Sequence, residues 1–263
     1  MLRLFLSVDI AGSTAYKAKF ANLQNVGWLR VFETFFQIFP IVLIGQVARE
    51  FLEAEALPVV NVWKVLGDEM IFTNEPQSAR EAALLLHAVF RAMVRYEAEH
   101  FGGFQLHLKA TAWFAAFPRP NIEVEIPEMS RGDTARYIDY LGPDIDLGFR
   151  IAHFAQPSAI AVSLDLLEAI LPEQAGFAFF RGDDEILAGM NSGRPYPIIW
   201  ARPAGAAFAL EDAAGSYQRI AAAIAAGPVA PEALQAVVET TRHDSAGSVS
   251  QPATPSPQPG RRR

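Results

Sequence analysis

The most constraining feature of the sequence is a pair of short apolar segments joined by a tight turn. Residues 59–65 are rich in β-branched side chains, Leu66-Gly67-Asp68 carries turn residues, and 69–73 is apolar again, so this stretch predicts a β-hairpin. Residues 78–100 follow as an amphipathic segment that begins with Ser and, three residues later, Glu, which is the capping-box pattern of a helix start. Adjacent strands followed by a long helix indicate an α+β chain with a mixed sheet and exclude a Rossmann-type alternation.

The composition supports a folded, acidic domain without cysteine chemistry. Of 263 residues, 51% are apolar and 19% are charged, which supplies a large core and excludes bulk disorder. The formal net charge of −7 argues against non-specific nucleic-acid binding, which depends on Lys and Arg neutralising phosphates. The absence of cysteine excludes a disulfide framework and cysteine-ligated metal, and it agrees with a cytoplasmic location.

Three further segments define the predicted organisation of the chain. The apolar run 35–48 is interrupted by Gln37, Pro40 and Gln46 and is shorter than the ~20 residues of a membrane span, so we expect no membrane partner. We expect instead a helix buried on most sides, in the core or at a subunit interface. A globular domain is predicted over 1–203, with 118–134 as a long loop. Ala-rich helices are expected at 206–226 and 231–242, within 204–242. The tail 243–263 is rich in Ser, Pro and Gly and is predicted to be disordered.

The first candidate site lies where the first predicted strand ends. An apolar run from residue 2 to 8 is followed by Asp9-Ile10-Ala11-Gly12-Ser13-Thr14. A carboxylate at a strand tip can hold a hard cation, and exposed amides at a helix start can hold phosphate oxygens. The alternative is that Asp9 or Ser13 only caps the helix.

The hairpin carries the second candidate site. Asp68 stands at its tip, where the order Gly-Asp differs from the Asn-Gly or Asp-Gly that a type I′ turn prefers. If the hairpin lies beside the first strand, Asp9 and Asp68 converge, and two carboxylates can bind two divalent ions for displacement at phosphorus. Lys64 would then point into a groove. The simpler alternative to a metal-binding role is that Asp68 is an ordinary turn residue.

A third group follows residue 138. Asp139 precedes a Gly, and Asp146 and Arg150 are four residues apart on a predicted helix. Asp146 and Arg150 can pair at the surface, or Arg150 can stabilise charge on a transferring phosphoryl group.

Three ordered motifs carry a family resemblance: SVDIAGST at 7–14, VWKVLGDEMIF at 62–72 and DYLGPDIDLGFRIA at 139–152. Together they resemble the class III nucleotidyl cyclase homology domain over residues 2 to about 202. The resemblance implies a ferredoxin-like α+β core and a homodimer with active sites at the interface. The short segment before the first strand and the GST turn resemble, more narrowly, the bacterial Pycsar uridylate (pyrimidine) cyclases of anti-phage defence.

The resemblance also implies roles for individual residues. Two divalent ions, Mn²⁺ or Mg²⁺, would be held by Asp9, Asp68 and the backbone carbonyl of Ile10. The triphosphate would be bound by the turn amides of Ala11, Gly12, Ser13 and Thr14. The base-reading positions fall on Lys64 and Asp139, and the transition-state arginine, from the second subunit, falls on Arg150.

The sequence departs from the family pattern at three points. Asp146 replaces an Asn and, when ionised, cannot donate a hydrogen bond. The late triphosphate-binding Lys has no counterpart, since Ala188-Gly189 stands there; Arg194 is a possible substitute. Thr111-Ala112-Trp113-Phe114 stands where purine cyclases often have small, Gly-rich sequence. The bulk of this segment, above all of Trp113, would narrow the base pocket and favour a pyrimidine.

The implied activity is conversion of UTP to 3′,5′-cyclic UMP and pyrophosphate, with the product sensed by a separate effector protein. An adenylate cyclase making cyclic AMP is the alternative that Lys64 and Asp139 favour. A third hypothesis, which Asp146 and the missing Lys favour, is a catalytically inactive module with the cyclase fold that binds a nucleotide. A fourth hypothesis is a protein-interaction domain in which the acidic residues only cap helices and form turns.

Overall fold

The computed structural model describes residues 1–21, 26–130, 136–173, 176–190, 193–207 and 217–246. The strands in this part of the chain are β1 (Leu2–Ala11), β2 (Asn61–Leu66), β3 (Glu69–Asn74), β4 (His107–Ala116), β5 (Ile122–Glu125), β6 (Ile138–Leu141), β7 (Ile160–Val162), β8 (Phe177–Ile186) and β9 (Pro195–Pro203). The α-helices are α1 (Ser13–Phe20), α2 (Arg30–Glu50), α3 (Ala79–His100), α4 (Pro143–Ala152), α5 (Leu164–Ile170), α6 (Gln218–Ala226) and α7 (Pro231–Ala246).

Seven strands form one mixed sheet in the order β2-β3-β1-β4-β7-β9-β8. Only β4 and β7 run parallel; the other neighbours are antiparallel. The strands β5 and β6 form a separate two-stranded sheet. The predicted α+β class, mixed sheet and β2–β3 hairpin are therefore confirmed.

The two faces of β1 have different surroundings. Leu4, Leu6 and Val8 point into a large core shared with α2 and α3. Phe5 points to the opposite face, where a smaller aromatic core lies under α4 and β6. Because side chains alternate along a strand, Asp9 lies on the same face as Phe5, at the end where the aromatic core stops.

The start of α3 confirms the Ser78 cap, and the reciprocal bond of Glu81 goes to Gln77, one residue before the position that a capping box uses. The Ser78 hydroxyl accepts a hydrogen bond from the backbone N–H of Glu81 at 3.1 Å, and the Glu81 carboxylate accepts one from the N–H of Gln77 at 2.9 Å. These bonds satisfy amides that a helix start otherwise leaves unpaired. The helix then packs along the sheet with one face buried in the larger core.

The segment Gly27–Glu50, which includes α2, is long and apolar enough to cross a membrane by length and composition alone. In the fold it lies along α3 and buries Phe35, Phe39 and Leu43. Ile41 and Ile44 on its other side are 65% and 57% exposed. Within this chain only one face of α2 contacts the core, so the core of one chain does not bury it on most sides; burial of its other face at a subunit interface stays a prediction.

Three other predictions need correction. The predicted loop 118–134 contains β5, whose partner β6 lies beyond residue 137, and local sequence shows no such pairing; residues 131–135 lie outside the described part. Of the predicted helix 206–226, the structure describes α6 from Gln218 and no helix at 206–207, and residues 208–216 lie outside the described part. Helix α7 extends to Ala246, into the predicted tail, of which 247–263 are not described.

Candidate active site

The structure brings Asp9 and Asp68 to one place. The hairpin strand β3 pairs with β1 so that Asp9 is opposite Glu69, the residue directly after Asp68. The negative charge of Asp68 is close enough to contribute to a raised pKa of Asp9. The condition set by the sequence, that the hairpin lie beside the first strand, is met.

Each of these aspartates is paired with a lysine that sequence reasoning did not select. Lys109 Nζ lies 3.1 Å from Asp9 Oδ2, and Lys17 Nζ lies 3.0 Å from Asp68 Oδ1. Lys109 faces Asp9 because β4 pairs with β1 in that register. No local pattern indicates this pairing, since the two residues come from different parts of the chain.

A third carboxylate adjoins the pair. Glu69 accepts a hydrogen bond from the hydroxyl of Ser7. Burial raises the pKa of Asp9, against the lowering effect of Lys109, and it also raises the pKa of Glu69, against the lowering effect of the Ser7 hydrogen bond. Desolvation penalises the charged form of a carboxyl group, so this acidic cluster lies in a site partly shielded from water.

The cluster borders a cavity of about 250 Å³ between the sheet and α4. Lys109, Thr111 and His153 line it together with Asp9 and Glu69. The Thr111 hydroxyl is buried and has no hydrogen-bond partner in the described part of the chain. The cavity is thus polar on the sheet side. Among the described residues, no group of three or more His, Asp or Glu side chains is arranged to hold a metal ion.

The turn after β1 requires glycine. Gly12 has φ +85°, and a Cβ at this position would lie 2.8 Å from the backbone oxygen of Gln105. Gly12 is also the N-cap of α1, and no side chain in the described part of the chain caps this helix. The alternative that Asp9 or Ser13 acts as the cap is therefore wrong.

Lys64 and Asp139 also come together. Lys64 Nζ on β2 lies 2.7 Å from Asp139 Oδ1 on β6, and the ammonium lies 4.6 Å from the centroid of the Trp63 ring. The same Asp139 oxygen accepts a hydrogen bond from the Tyr140 N–H at 2.9 Å. No hydrogen bond or ion pair joins this group to Asp9 or Asp68 among the described residues.

Helix α4 presents Asp146 and Arg150 to solvent. The ion pair that the sequence allowed between them is not formed in the part of the chain that the structure describes, although both side chains are exposed. Close packing fixes the helix itself: a Cβ on Gly148 would lie 2.2 Å from the Trp113 ring. Both side chains are therefore free to contact a second molecule.

Trp113 does not have the position predicted for it. Its side chain is fully buried between the sheet and α4, where it stacks on Phe5 with ring centroids 5.3 Å apart. Its bulk therefore fills the aromatic core and does not line an open base pocket within this chain. The predicted pyrimidine preference gains no support from this residue.

Arg194 lies at the far edge of the sheet. It lines a cavity of about 400 Å³ with Arg181 and with Thr240 and Thr241 of α7. None of the three clustered carboxylates lines this cavity. Ala188-Gly189 forms the turn after β8.

Comparison with solved structures relates this architecture to known folds. The adenylyl cyclase CyaB from P. aeruginosa matches with a TM-score of 0.56 and 12% identity, over 80% of this chain and 96% of that chain. The guanylate cyclase domain of RhGC from Catenaria anguillulae, in complex with GTP, matches with a TM-score of 0.53 and 12% identity, over 77% and 97%. A rhodopsin-guanylyl cyclase catalytic core with converted specificity, in complex with ATPαS, matches with a TM-score of 0.54 and 12% identity, over 77% of this chain and 95% of that chain.

No protein-family model and no curated protein matches the sequence. The structural matches show that this chain has the fold of the adenylyl and guanylyl cyclase domains, as the three motifs predicted.

Proposed function

We propose that the chain is a nucleotidyl cyclase that converts UTP to 3′,5′-cyclic UMP and pyrophosphate. One observation carries the proposal: Asp9 at the end of β1 and Asp68 at the hairpin tip are neighbours, in a chain with the cyclase fold. Helix α1 begins at Ser13, four residues after Asp9, and its start supplies backbone N–H groups for phosphate oxygens.

The donor set fits hard divalent cations. Asp9 and Asp68 offer carboxylate oxygens and Ile10 offers a backbone carbonyl, and Mg²⁺ and Mn²⁺ prefer such oxygen ligands. Mg²⁺ is typically held by one or two carboxylates together with substrate phosphates, so three protein ligands are sufficient. Bound there, divalent ions would lower the pKa of the substrate 3′-hydroxyl and neutralise charge on the leaving pyrophosphate.

In the proposed reaction the 3′-oxygen of the substrate forms a bond to its own α-phosphorus. The bond from the α-phosphorus to the bridging oxygen of pyrophosphate breaks, and the hydroxyl proton leaves to solvent. The amides of Ala11, Gly12, Ser13 and Thr14 would hold the triphosphate in line for this displacement. Arg150 of a second subunit would stabilise charge on the α-phosphoryl oxygens, a role for which a permanently charged guanidinium is suited.

Asp146 is assigned a different task from that of an Asn. An ionised carboxylate only accepts hydrogen bonds, so we expect Asp146 to accept one from a ribose hydroxyl. Its exposure, and the absence of an ion pair with Arg150 among the described residues, leave both groups available to a substrate bound at a dimer interface. Residues 1–203 would form the catalytic unit of that homodimer.

The choice of uracil rests on the sequence resemblance to the uridylate cyclases. The second candidate is an adenylate cyclase, and the Lys64–Asp139 contact favours it. This pair stands at the base-reading positions and offers both a donor and an acceptor to a purine edge. In either case the cyclic product would serve as a second messenger in the cytoplasm, sensed by a separate effector; for cyclic UMP the context would be anti-phage defence.

A competition assay tests the proposal. The purified chain would be incubated with equimolar ATP, GTP, CTP and UTP and Mn²⁺, beside Asp68→Ala, and the products identified by mass spectrometry. We expect cyclic UMP from the wild type and none from the variant. Formation of cyclic AMP would support the cyclase mechanism but identify ATP, in place of UTP, as the substrate. Absence of every cyclic product from a folded dimer would overturn the proposal in favour of a nucleotide-binding module.

A further inference from the structure

We propose that Lys17 binds the β- and γ-phosphates of the substrate from within the same subunit as Asp9 and Asp68. Lys17 would thereby supply the positive charge of the late lysine that the sequence lacks. This inference rests on the proposed function and adds a residue to the same site.

The position of Lys17 on α1 supports this role. It lies four residues after Ser13 and therefore one helical turn along the same face. Side chains in a helix lean toward its N-terminus, so the ammonium of Lys17 extends back toward the uncapped first turn. The Phe32 ring lies beneath the ammonium, with its centroid 4.7 Å away, and limits the directions that the lysine can take.

The contact with Asp68 places the ammonium of Lys17 beside the acidic cluster. Lys17 Nζ lies 3.0 Å from Asp68 Oδ1, and the Lys17 side chain is 39% exposed. The ammonium is therefore held beside the acidic cluster but can still move toward solvent. A triphosphate bound at the start of α1 would offer it a stronger partner than one carboxylate, because phosphate oxygens carry more charge.

The charge balance of the site indicates that such a cation is needed. A triphosphate would approach three carboxylates, those of Asp9, Asp68 and Glu69. Two lysines lie in this cluster. Lys109 lies on strand β4 of the sheet, and Lys17 lies on α1, the helix that begins at the proposed phosphate-binding turn. Arg194 lines a different cavity of the same chain.

Nucleotide binding without turnover tests the role. The probes are 3′-deoxy-UTP and 3′-deoxyuridine monophosphate, or the adenosine analogues if cyclic AMP is the product, titrated with Mn²⁺ present by calorimetry. Lys17→Met should weaken binding of the triphosphate by about tenfold or more and change binding of the monophosphate by less than about twofold. Lys17→Arg should restore most of the triphosphate affinity. Lys19→Met, an exposed lysine on the same helix, is the matched control and should match the wild type.

A second readout uses Mn²⁺ alone. Because the ammonium of Lys17 competes for Asp68, Lys17→Met should bind Mn²⁺ more tightly than the wild type when nucleotide is left out. Unchanged triphosphate affinity in a folded Lys17→Met, or equal losses for the triphosphate and the monophosphate, would overturn the inference. Lys17→Gln serves as the second variant if Lys17→Met fails to fold. A wild type that binds no triphosphate would overturn the proposed function itself, and this inference with it.

Discussion

Asp9 and Lys109 face each other across the paired strands β1 and β4, with the ammonium nitrogen 3.1 Å from a carboxylate oxygen. The two side chains are 28% and 22% exposed, so the pair is neither fully solvated nor sealed in the core. A cation bound at Asp9 must share that carboxylate with Lys109. In the proposed metal site, the pairing of these strands would therefore set how strongly the cation is held.

Removing Lys109 should strengthen metal binding. We expect Lys109→Met to bind Mn²⁺ about three- to tenfold more tightly without nucleotide, because partly exposed ion pairs of this kind contribute ~1 kcal/mol. The measurement is a titration in which the spin-resonance signal of free Mn²⁺ is followed. Lys64→Met, which removes a lysine paired with Asp139 instead, should leave the affinity unchanged. Equal or weaker binding by Lys109→Met would contradict the competition.

Glycine at position 12 should be essential to the turn. Gly12→Ala places a methyl group 2.8 Å from the oxygen of Gln105 at φ +85°, so we expect the free energy of unfolding to fall by about 2–3 kcal/mol. Gly67→Ala is the matched control, since φ there is +66° and nothing lies within 4 Å of the added carbon. Gly67→Ala should lower the free energy of unfolding by only ~1 kcal/mol, because of backbone strain alone. Urea denaturation measures both, and equal losses would show that the contact with Gln105 does not matter.

Glu69 should make stability depend on pH. Burial raises its pKa above the ordinary value of 4.5, so the unfolded chain releases this proton at lower pH than the folded one. Between those two pKa values the unfolded state binds fewer protons, and the free energy of unfolding falls as pH rises. Glu69→Gln should remove this contribution and flatten the decline in urea denaturation from pH 4 upward. Glu53→Gln, at an exposed position, is the control; superimposable profiles for Glu69→Gln and the wild type would refute the effect.

The proposed origin of Arg150 from a second subunit can be tested by mixing inactive variants. Asp68→Ala and Arg150→Ala should each be inactive alone. When they are mixed and allowed to exchange subunits, half of the dimers are mixed and carry one complete site. Activity should then recover to about a quarter of the wild-type level. No recovery, with subunit exchange verified by mass spectrometry, would show that each subunit uses its own Arg150.

Local sequence patterns were sufficient to predict those elements whose structure depends on residues close together in the chain. The hairpin, the capped helix α3 and the strand before Asp9 each follow from residues that are neighbours in the chain. The register that follows from the hairpin also made the convergence of Asp9 and Asp68 predictable, given that β3 lies beside β1.

The structural features that the sequence did not predict depend on contacts between segments that are distant along the chain. Lys109 becomes part of the site only through the pairing of β4 with β1, and β5 is a strand only because β6 pairs with it. Trp113 shows the same limit, because its burial under α4 requires the close approach at Gly148. A bulky residue on a strand looks the same in sequence whether it fills a core or lines a pocket.

Cyclisation of a nucleoside triphosphate at Asp9 and Asp68 is tested by phosphorus NMR of UTP incubated with the wild-type chain and Mn²⁺, with the metal removed by chelation before the spectrum is recorded. We expect a cyclic phosphodiester and pyrophosphate in equal amounts, both lost in Asp68→Ala. Formation of a nucleoside diphosphate and inorganic phosphate instead, or products that persist in Asp68→Ala, would contradict it.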